Sequence, residues 1–268
     1  MGTTKLYKSL DADGGLKMLY YSTLMFTNAT QLNDPFDCHP ALVDIPQDAI
    51  ACYRGWPSNV VSEIEYRKGL NRRDKAYVCS LSKTPDSILM WSYYSKHTGV
   101  CIGLDVEQTR KYTSKMHGLF LGCAELEVQY RDKVSEPADG NTDLLTYHFA
   151  TKARDWQHEQ EVRLLAYDPS PVHMRLLPDK NEDDDFCHRL KRFFQARKKE
   201  TPLIDWKTVR AFLDIGGECF ESVRLGVNMT DQDKEKIIKV ARKCNPDIKI
   251  YQMTIDPEAF RLKEEEIR

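Results

Sequence analysis

The run Trp156-Gln157-His158-Glu159-Gln160-Glu161-Val162-Arg163 sets two carboxylates and a guanidinium at alternate positions. Successive side chains on a strand point to opposite faces. A strand here therefore puts Glu159, Glu161 and Arg163 on one face and turns Val162, Leu164 and Ala166 toward the core. Two carboxylates and a guanidinium in register can serve a positively charged transition state, hold a metal ion, or neutralise one another. The last option, an ion-pair network on a solvated strand face, is the commoner use of such residues.

Two further clusters could do chemistry. In Leu32-Asn33-Asp34-Pro35-Phe36-Asp37, the groups Asn33, Asp34 and Asp37 are candidate ligands for a metal, a ribose or a base. The same residues also make an ordinary turn, because short polar side chains bond the nearby backbone and Pro fixes φ. In Met90-Trp91-Ser92-Tyr93-Tyr94-Ser95-Lys96-His97-Thr98-Gly99, Met90 and Tyr94 lie one helical turn apart, as do Trp91 and Ser95. Most of that spacing is core packing. His97, at the helix exit, can interact with the last carbonyls, hold a phosphate or carry a proton.

The elements that must position these clusters read as follows. Strands are expected at 5–10, 24–27, 75–82, 99–105, 124–130, 156–167, 222–228 and 248–255. Gly14-Gly15 reads as a turn. A helix over ILMWSYYS is expected to start with Thr84 as N-cap and Pro85 at its first position. Further helices are expected over 141–154, over 186–199 after an acidic loop at 179–185, and after a Thr230 cap. Polar excursions are expected near 46–75 and 179–210. Strands alternate irregularly with helices, which favours an α+β fold over a doubly wound sheet. We expect one domain spanning 1–268, with its core at 5–255 and mostly antiparallel packed sheets around a central cleft.

The chain has 268 residues, 41% of them apolar and 30% charged, with a net charge of −2. A chain of this size buries a sizeable core without disulfides or structural metal. Its charge gives no general pull toward nucleic acid or anionic membrane. The basic run Arg67–Lys75 reads as a solvated face or a local nucleic-acid contact. The opening MGTTKLYKSL carries no apolar leader, and no segment has the ~20 apolar residues of a membrane span. A cytoplasmic location follows as the expectation. The eight cysteines are scattered through apolar segments with no CxxC spacing, so reduced core thiols and no metal site are expected. Dinucleotide, P-loop, nucleophile-elbow and HExxH signatures are absent from the sequence.

Taken in order, an LYK opening, LNDPFD, a strand ending in CSLS, MWSYYSKHTGVCIGLD and WQHEQEVR resemble the bacterial family called domain of unknown function 2971, over about residues 5–255. More distantly, the order of elements is similar to the ADP-ribosyltransferase fold. That second resemblance implies NAD as substrate, bound by Tyr7 and Lys8 on the first strand and by Ser22, Thr23 and Thr27 around the second. It puts Glu159-Gln160-Glu161 on a late strand, with Glu161 against the reacting ribose, Glu159 orienting the acceptor or a water, and Arg163 fixing the carboxylate. Tyr7 and Trp91 would stack a ring, His97 or Lys8 would hold the pyrophosphate, and Asn33, Asp34, Asp37 and Tyr94 would complete the nucleotide site.

The expected function is thus ADP-ribose transfer to a protein or nucleic acid, or NAD hydrolysis, in stress or antiviral defence. One alternative is a metal-dependent nuclease or phosphoesterase using Asp34, Asp37, Glu159 and Glu161. The other is a non-catalytic module that binds a nucleotide or a partner.

Overall fold

A computed structural model describes residues 5–39, 42, 73–117, 123–134, 144–167, 175–178 and 208–267. The helix expected at 186–199, the acidic loop before it and most of the 46–75 excursion lie outside them, as do Cys52 and Cys187. The strands are β1 (Lys5–Leu10), β2 (Thr23–Asn28), β3 (Ala76–Ser82), β4 (Val100–Asp105), β5 (Cys123–Glu127), β6 (Gln129–Arg131) and β7 (Thr151–Ala153). After them come β8 (Glu161–Tyr167), β9 (Arg175–Pro178), β10 (Thr208–Asp214), β11 (Phe220–Leu225), β12 (Lys249–Ile255) and β13 (Leu262–Ile267). The helices are α1 (Ala12–Tyr21), α2 (Ile88–Ser95), α3 (Val106–His117), α4 (Leu144–Ala150) and α5 (Asp231–Cys244).

The architecture is α+β and mostly antiparallel, as the sequence led us to expect. Among the described residues one branched sheet runs β13-β12-β11-β4-β1-β3-β2-β10-β9, with β8 on β3 and β5 on β8. In place of the expected pair of packed sheets there is one continuous sheet branched at β3, with β6 and β7 pairing separately. β11 and β12 run parallel, which requires a crossover, and α5 supplies it. Thr230 caps α5 by accepting from the Asp233 amide, Asp231 and Asp233 sit in its first turn and Arg242 and Lys243 in its last, each charge complementing the helix dipole. Alternation along β4 sends Val100, Ile102 and Leu104 into the main core beneath α1 and α5, while Cys101 packs on the other face with Tyr7, Trp91 and Met253.

One arrangement in this sheet decides where a ligand can go. β8 pairs with the whole length of β3, from Ala76↔Tyr167 to Ser82↔Glu161. The other edge of β3 is divided. β1 meets it at Tyr7↔Ser82, and β2 meets it at Thr27↔Val78 and Asn28↔Tyr77. Between these points β1 and β2 splay apart and a gap opens alongside Cys79–Leu81. A carbonyl facing such a gap needs a donor, and the Lys8 ammonium provides one to Ser80 O at 2.8 Å.

Several sequence expectations need correction. Gly14 and Gly15 lie inside α1, whose N-cap is Asp11. The paired glycines disguised the helix, and Gly15 is there for close packing: a Cβ on it would lie 2.1 Å from Val100 Cγ2. The N-cap of α2 is Ser87, not Thr84; the Thr84 amide is engaged by Ser82 Oγ instead. The strand expected at 124–130 breaks at Val128, and the helix expected over 141–154 ends at Ala150, after which β7 begins. Residues 208–210 begin β10, although the second excursion was expected to include them. Cys38, Cys79, Cys101, Cys219 and Cys244 are free thiols.

Two predictions follow from this packing. Gly15→Ala gains helix propensity of up to ~1 kcal/mol but overpacks Val100, so a net loss of about 1–2 kcal/mol is expected in urea melts. In a Val100→Ala background the same substitution should lose at least ~0.5 kcal/mol less, the coupling expected of contacting residues. His148 is fully buried on α4 with neither ring nitrogen hydrogen-bonded. Burial, then the neighbouring Arg73 and His39, lower its pKa to about 4. Its folded value lies below the unfolded one of ~6.5, so stability held above pH 6.5 drains away as the pH falls toward 4, by about 3 kcal/mol. His148→Leu should remove that part of the acid sensitivity, read as the difference between denaturant melts at pH 7 and pH 4.5.

Candidate functional site

The gap beside β3 widens into a cleft of about 240 Å³. Of the residues singled out from the sequence, Tyr7, Lys8, Thr27, Asn33, Asp37, Tyr94, Glu159 and Glu161 line it. They arrive from β1, β2, the turn after β2, α2, the end of the 3-10 helix at Arg154–Glu159 and the start of β8.

The strand expected over 156–167 is in fact a 3-10 helix at Arg154–Glu159 followed by β8. Gln160 joins them in the left-handed region with φ 44°. Glu161 and Arg163 share a strand face as expected, but Glu159 does not belong to that strand. It reaches the same place because the turn is clamped. Ser82 Oγ donates to Glu159 O at 2.7 Å, the Lys83 amide donates to Gln160 O at 3.0 Å, and the Glu161 amide donates to the Tyr130 hydroxyl at 2.8 Å.

Below the cleft lies a buried charge network. Arg163, fully buried, donates from Nε to Glu161 Oε1 at 2.9 Å and from Nη2 to Asp37 Oδ2 at 2.8 Å. Its Nη1 bonds Phe149 O at 2.9 Å. Nη1 is also 2.6 Å from Asp37 Oδ1, near enough to pair charges but out of line for a hydrogen bond, which leaves Oδ1 without one. The Lys152 ammonium, from β7, lies 2.5 Å from Glu159 Oε2, 3.2 Å from Glu161 Oε2 and 3.8 Å from Asp37 Oδ2. Tyr94 donates its phenol to Glu159 Oε1 at 2.5 Å.

The electrostatics follow from these contacts. Burial works against the charge on Glu161, but Arg163 and then Lys152 outweigh it and hold the carboxyl well below the usual carboxylate range. Burial likewise opposes the charge on Lys152, and Glu161, Asp37 and Glu159 together raise its pKa. Burial, then the hydrogen bond to Glu159, push the Tyr94 phenol far up. Burial pushes the Tyr130 phenol up to about 12.

Five expected site residues lie elsewhere, Thr23 lining a separate hollow beside α1, and Arg163 stands behind the cleft instead of lining it. Trp91 is fully buried, donates Nε1 to Pro85 O and packs behind Tyr7. His97 follows the C-cap of α2, where its carbonyl accepts from the Asn228 amide. Ser22 is the C-cap of α1, its hydroxyl against Cys244 Sγ. Asp34 fills the turn role, its Oδ1 accepting from the Phe36 amide. The sequence reading missed Lys152, Ser80 and Ser82. Lys152 carried one weak signal, a lysine at the exit of the apolar YHFAT run.

The described residues thus define an α+β chain whose mostly antiparallel sheet is parted by a carboxylate-floored cleft. Residues 90–164 match the model of a family described as a protein of unknown function, DUF2971, and the resemblance to that family is shown over this span. The span holds Tyr94, Lys152, Glu159, Glu161 and Arg163; the contributions of β1, β2 and the LNDPFD turn precede it. Neither a curated protein nor a solved structure matches the chain. No helix among the described residues is long and apolar enough to cross a membrane.

The network makes Arg163→Ala a severe change. It leaves two buried carboxylates short of their main partner, at an expected cost of about 3–5 kcal/mol at neutral pH. The folded pKa of Glu161 is depressed in the wild type, so the stability this pairing contributes is present above ~4.3 and lost as pH falls through the folded value. The gap between wild type and Arg163→Ala in denaturant melts should accordingly be widest near pH 7 and narrow below pH 4.

Proposed function

We propose that this cleft breaks the bond between nicotinamide and ribose in NAD and passes ADP-ribose to an acceptor, either a macromolecule or water. The observation that carries the reading is the charge at the cleft floor. Asp37, Glu159 and Glu161 face two cations, Lys152 and Arg163, so in their ionised forms one negative charge is left over. A surplus negative charge at the floor, apart from Lys8 on the other wall, suits a substrate that develops positive charge there. When the C1′–N bond breaks, its electron pair leaves with the pyridine nitrogen and the ribose becomes oxocarbenium-like. Glu161, already fixed by Arg163, stabilises that cation without reorganising. The acceptor oxygen or nitrogen then bonds C1′ and gives its proton to Glu159, the acid whose partners are a phenol and an ammonium. Lys8, bonded to a carbonyl at the other wall, brings positive charge for the phosphates.

The metal-dependent reading has less support. The space among the carboxylates is taken by the Lys152 ammonium, and Asp34 is committed to its turn. A binding-only module draws support from one observation, that both oxygens of Glu161 are already bonded.

The test is incubation of the purified chain with labelled NAD, alone and with cell lysate or nucleic acid. Nicotinamide release or labelled product is expected, indifferent to chelator. Glu161→Gln should leave the fold nearly intact and lower turnover by roughly 100-fold or more. Thermal stabilisation by NAD with no release under any condition would favour the binding module, and no response at all would sink the NAD reading.

A further inference from the structure

Lys152 is the residue on which the cleft floor converges, and no role read from the sequence includes it. Its ammonium is buried, touches Glu159 and Glu161 directly and stands 3.8 Å from Asp37. The Trp156 ring lies beneath it, with Nζ 4.8 Å from the centroid. Oxygen-ligated divalent ions are likewise held among carboxylates, at closer range and with more ligands. Here the cation is covalently attached. Glu159 ends a 3-10 helix and Glu161 starts a strand, with a left-handed residue between, so strand geometry alone does not bring their carboxylates together. The clamped turn sets the two residues side by side, and the shared ammonium joins their carboxylates.

We propose that Lys152 is a positioning residue, a tethered counter-cation that draws Glu159 and Glu161 together at the cleft floor and fills the place a divalent ion would take. The remaining negative charge is then left for a cation formed on the substrate. The inference rests on the proposed reaction only for its effect on turnover; the charge role stands on geometry.

The test uses terbium, an oxygen-seeking cation whose emission is sensitised by a nearby tryptophan. With Trp excitation, wild-type protein should show no bound Tb³⁺. Lys152→Ala should bind it in the vacated place next to Trp156 and emit, and adding Glu159→Gln should abolish the emission. A folded Lys152→Ala that stays dark, or a wild type as bright as the variant, overturns the proposal. Should Lys152→Ala not fold, Lys152→Ala/Glu159→Gln decides. Removing the stranded charge should restore a cooperative melt, and a double variant as unfolded as the single one counts against the role.

For turnover, Lys152→Ala is expected to lower kcat for nicotinamide release by about 100-fold, the scale of misplaced groups, with KM little changed. Added methylammonium should recover part of the rate. Loss of rate through KM alone, or no recovery, overturns the positioning role. The terbium and melting measurements need no substrate, so a chain that behaves as expected in both yet never releases nicotinamide defeats the proposed reaction and not Lys152.

Discussion

A guanidinium with no access to water has to be neutralised where it stands, and the centre of this molecule is arranged around that requirement at Arg163. The cost of dehydrating an unpaired charge is of order several kcal/mol even after relaxation. Arg163 is therefore met from three directions: by Glu161 on its own strand, by Asp37 from the turn after β2, and by the Phe149 carbonyl from the end of α4. Asp37 lies 126 residues from Arg163 in the chain and Phe149 14. Their convergence ties the LNDPFD turn and the exit of α4 to the first residues of β8. A positive φ at Cys38 lets the chain leave that turn once Asp37 has been delivered.

The divided edge of β3 is the second constraint, and the two meet at Glu161. β8 is held to β3 over its full length, so Glu161 is fixed opposite Ser82, at the point where β1 also touches β3. The splay of β1 from β2 then opens directly beside it. Unpaired backbone at such a gap needs polar partners, and Lys8 meets the need at Ser80. The cleft is in this sense a consequence of sheet topology, and its charge is a consequence of how Arg163 was buried.

These facts explain what was legible in the sequence. The strands KLYKSL, YVCSLS and GVCIGLD could be read from residue type, β-branched and aromatic, and not from alternation, since β3 and β4 are buried on both faces. The motifs LNDPFD and WQHEQEVR could be picked out by residue type, and most of their acids do meet. Glu159 met Glu161 for a different reason from the one strand alternation supplied, because the turn at Gln160 and the Lys152 ammonium brought them together. Lys152 could not be found by periodicity, since it reaches the site through a short strand and a 3-10 turn. Trp91 and His97 were drawn toward the cleft by chemical type alone. A tryptophan with its indole N–H bonded to a carbonyl is a core residue, and a histidine past a helix C-cap serves the turn it stands in. The helix α1 escaped because Gly15 answers to the bulk of Val100 and not to helix propensity.

Saturation of Glu161 by cations bears on the division of labour between the acids. A carboxylate with both oxygens bonded and its pKa driven down is a poor base, because binding a proton would cost it two favourable ion pairs. The same fixing makes it a good electrostatic stabiliser: its dipoles and counter-ions are already oriented, so little reorganisation accompanies charge development beside it. Glu159 is held by one ammonium and one phenol. Its contact with Tyr94 is a hydrogen bond from a neutral donor, which can be exchanged for one from an acceptor or a water at far smaller cost than an ion pair. In the proposed reaction, proton transfer would therefore fall to Glu159 and field stabilisation to Glu161, a separation of roles that two acids of identical chemistry would acquire from their neighbours alone.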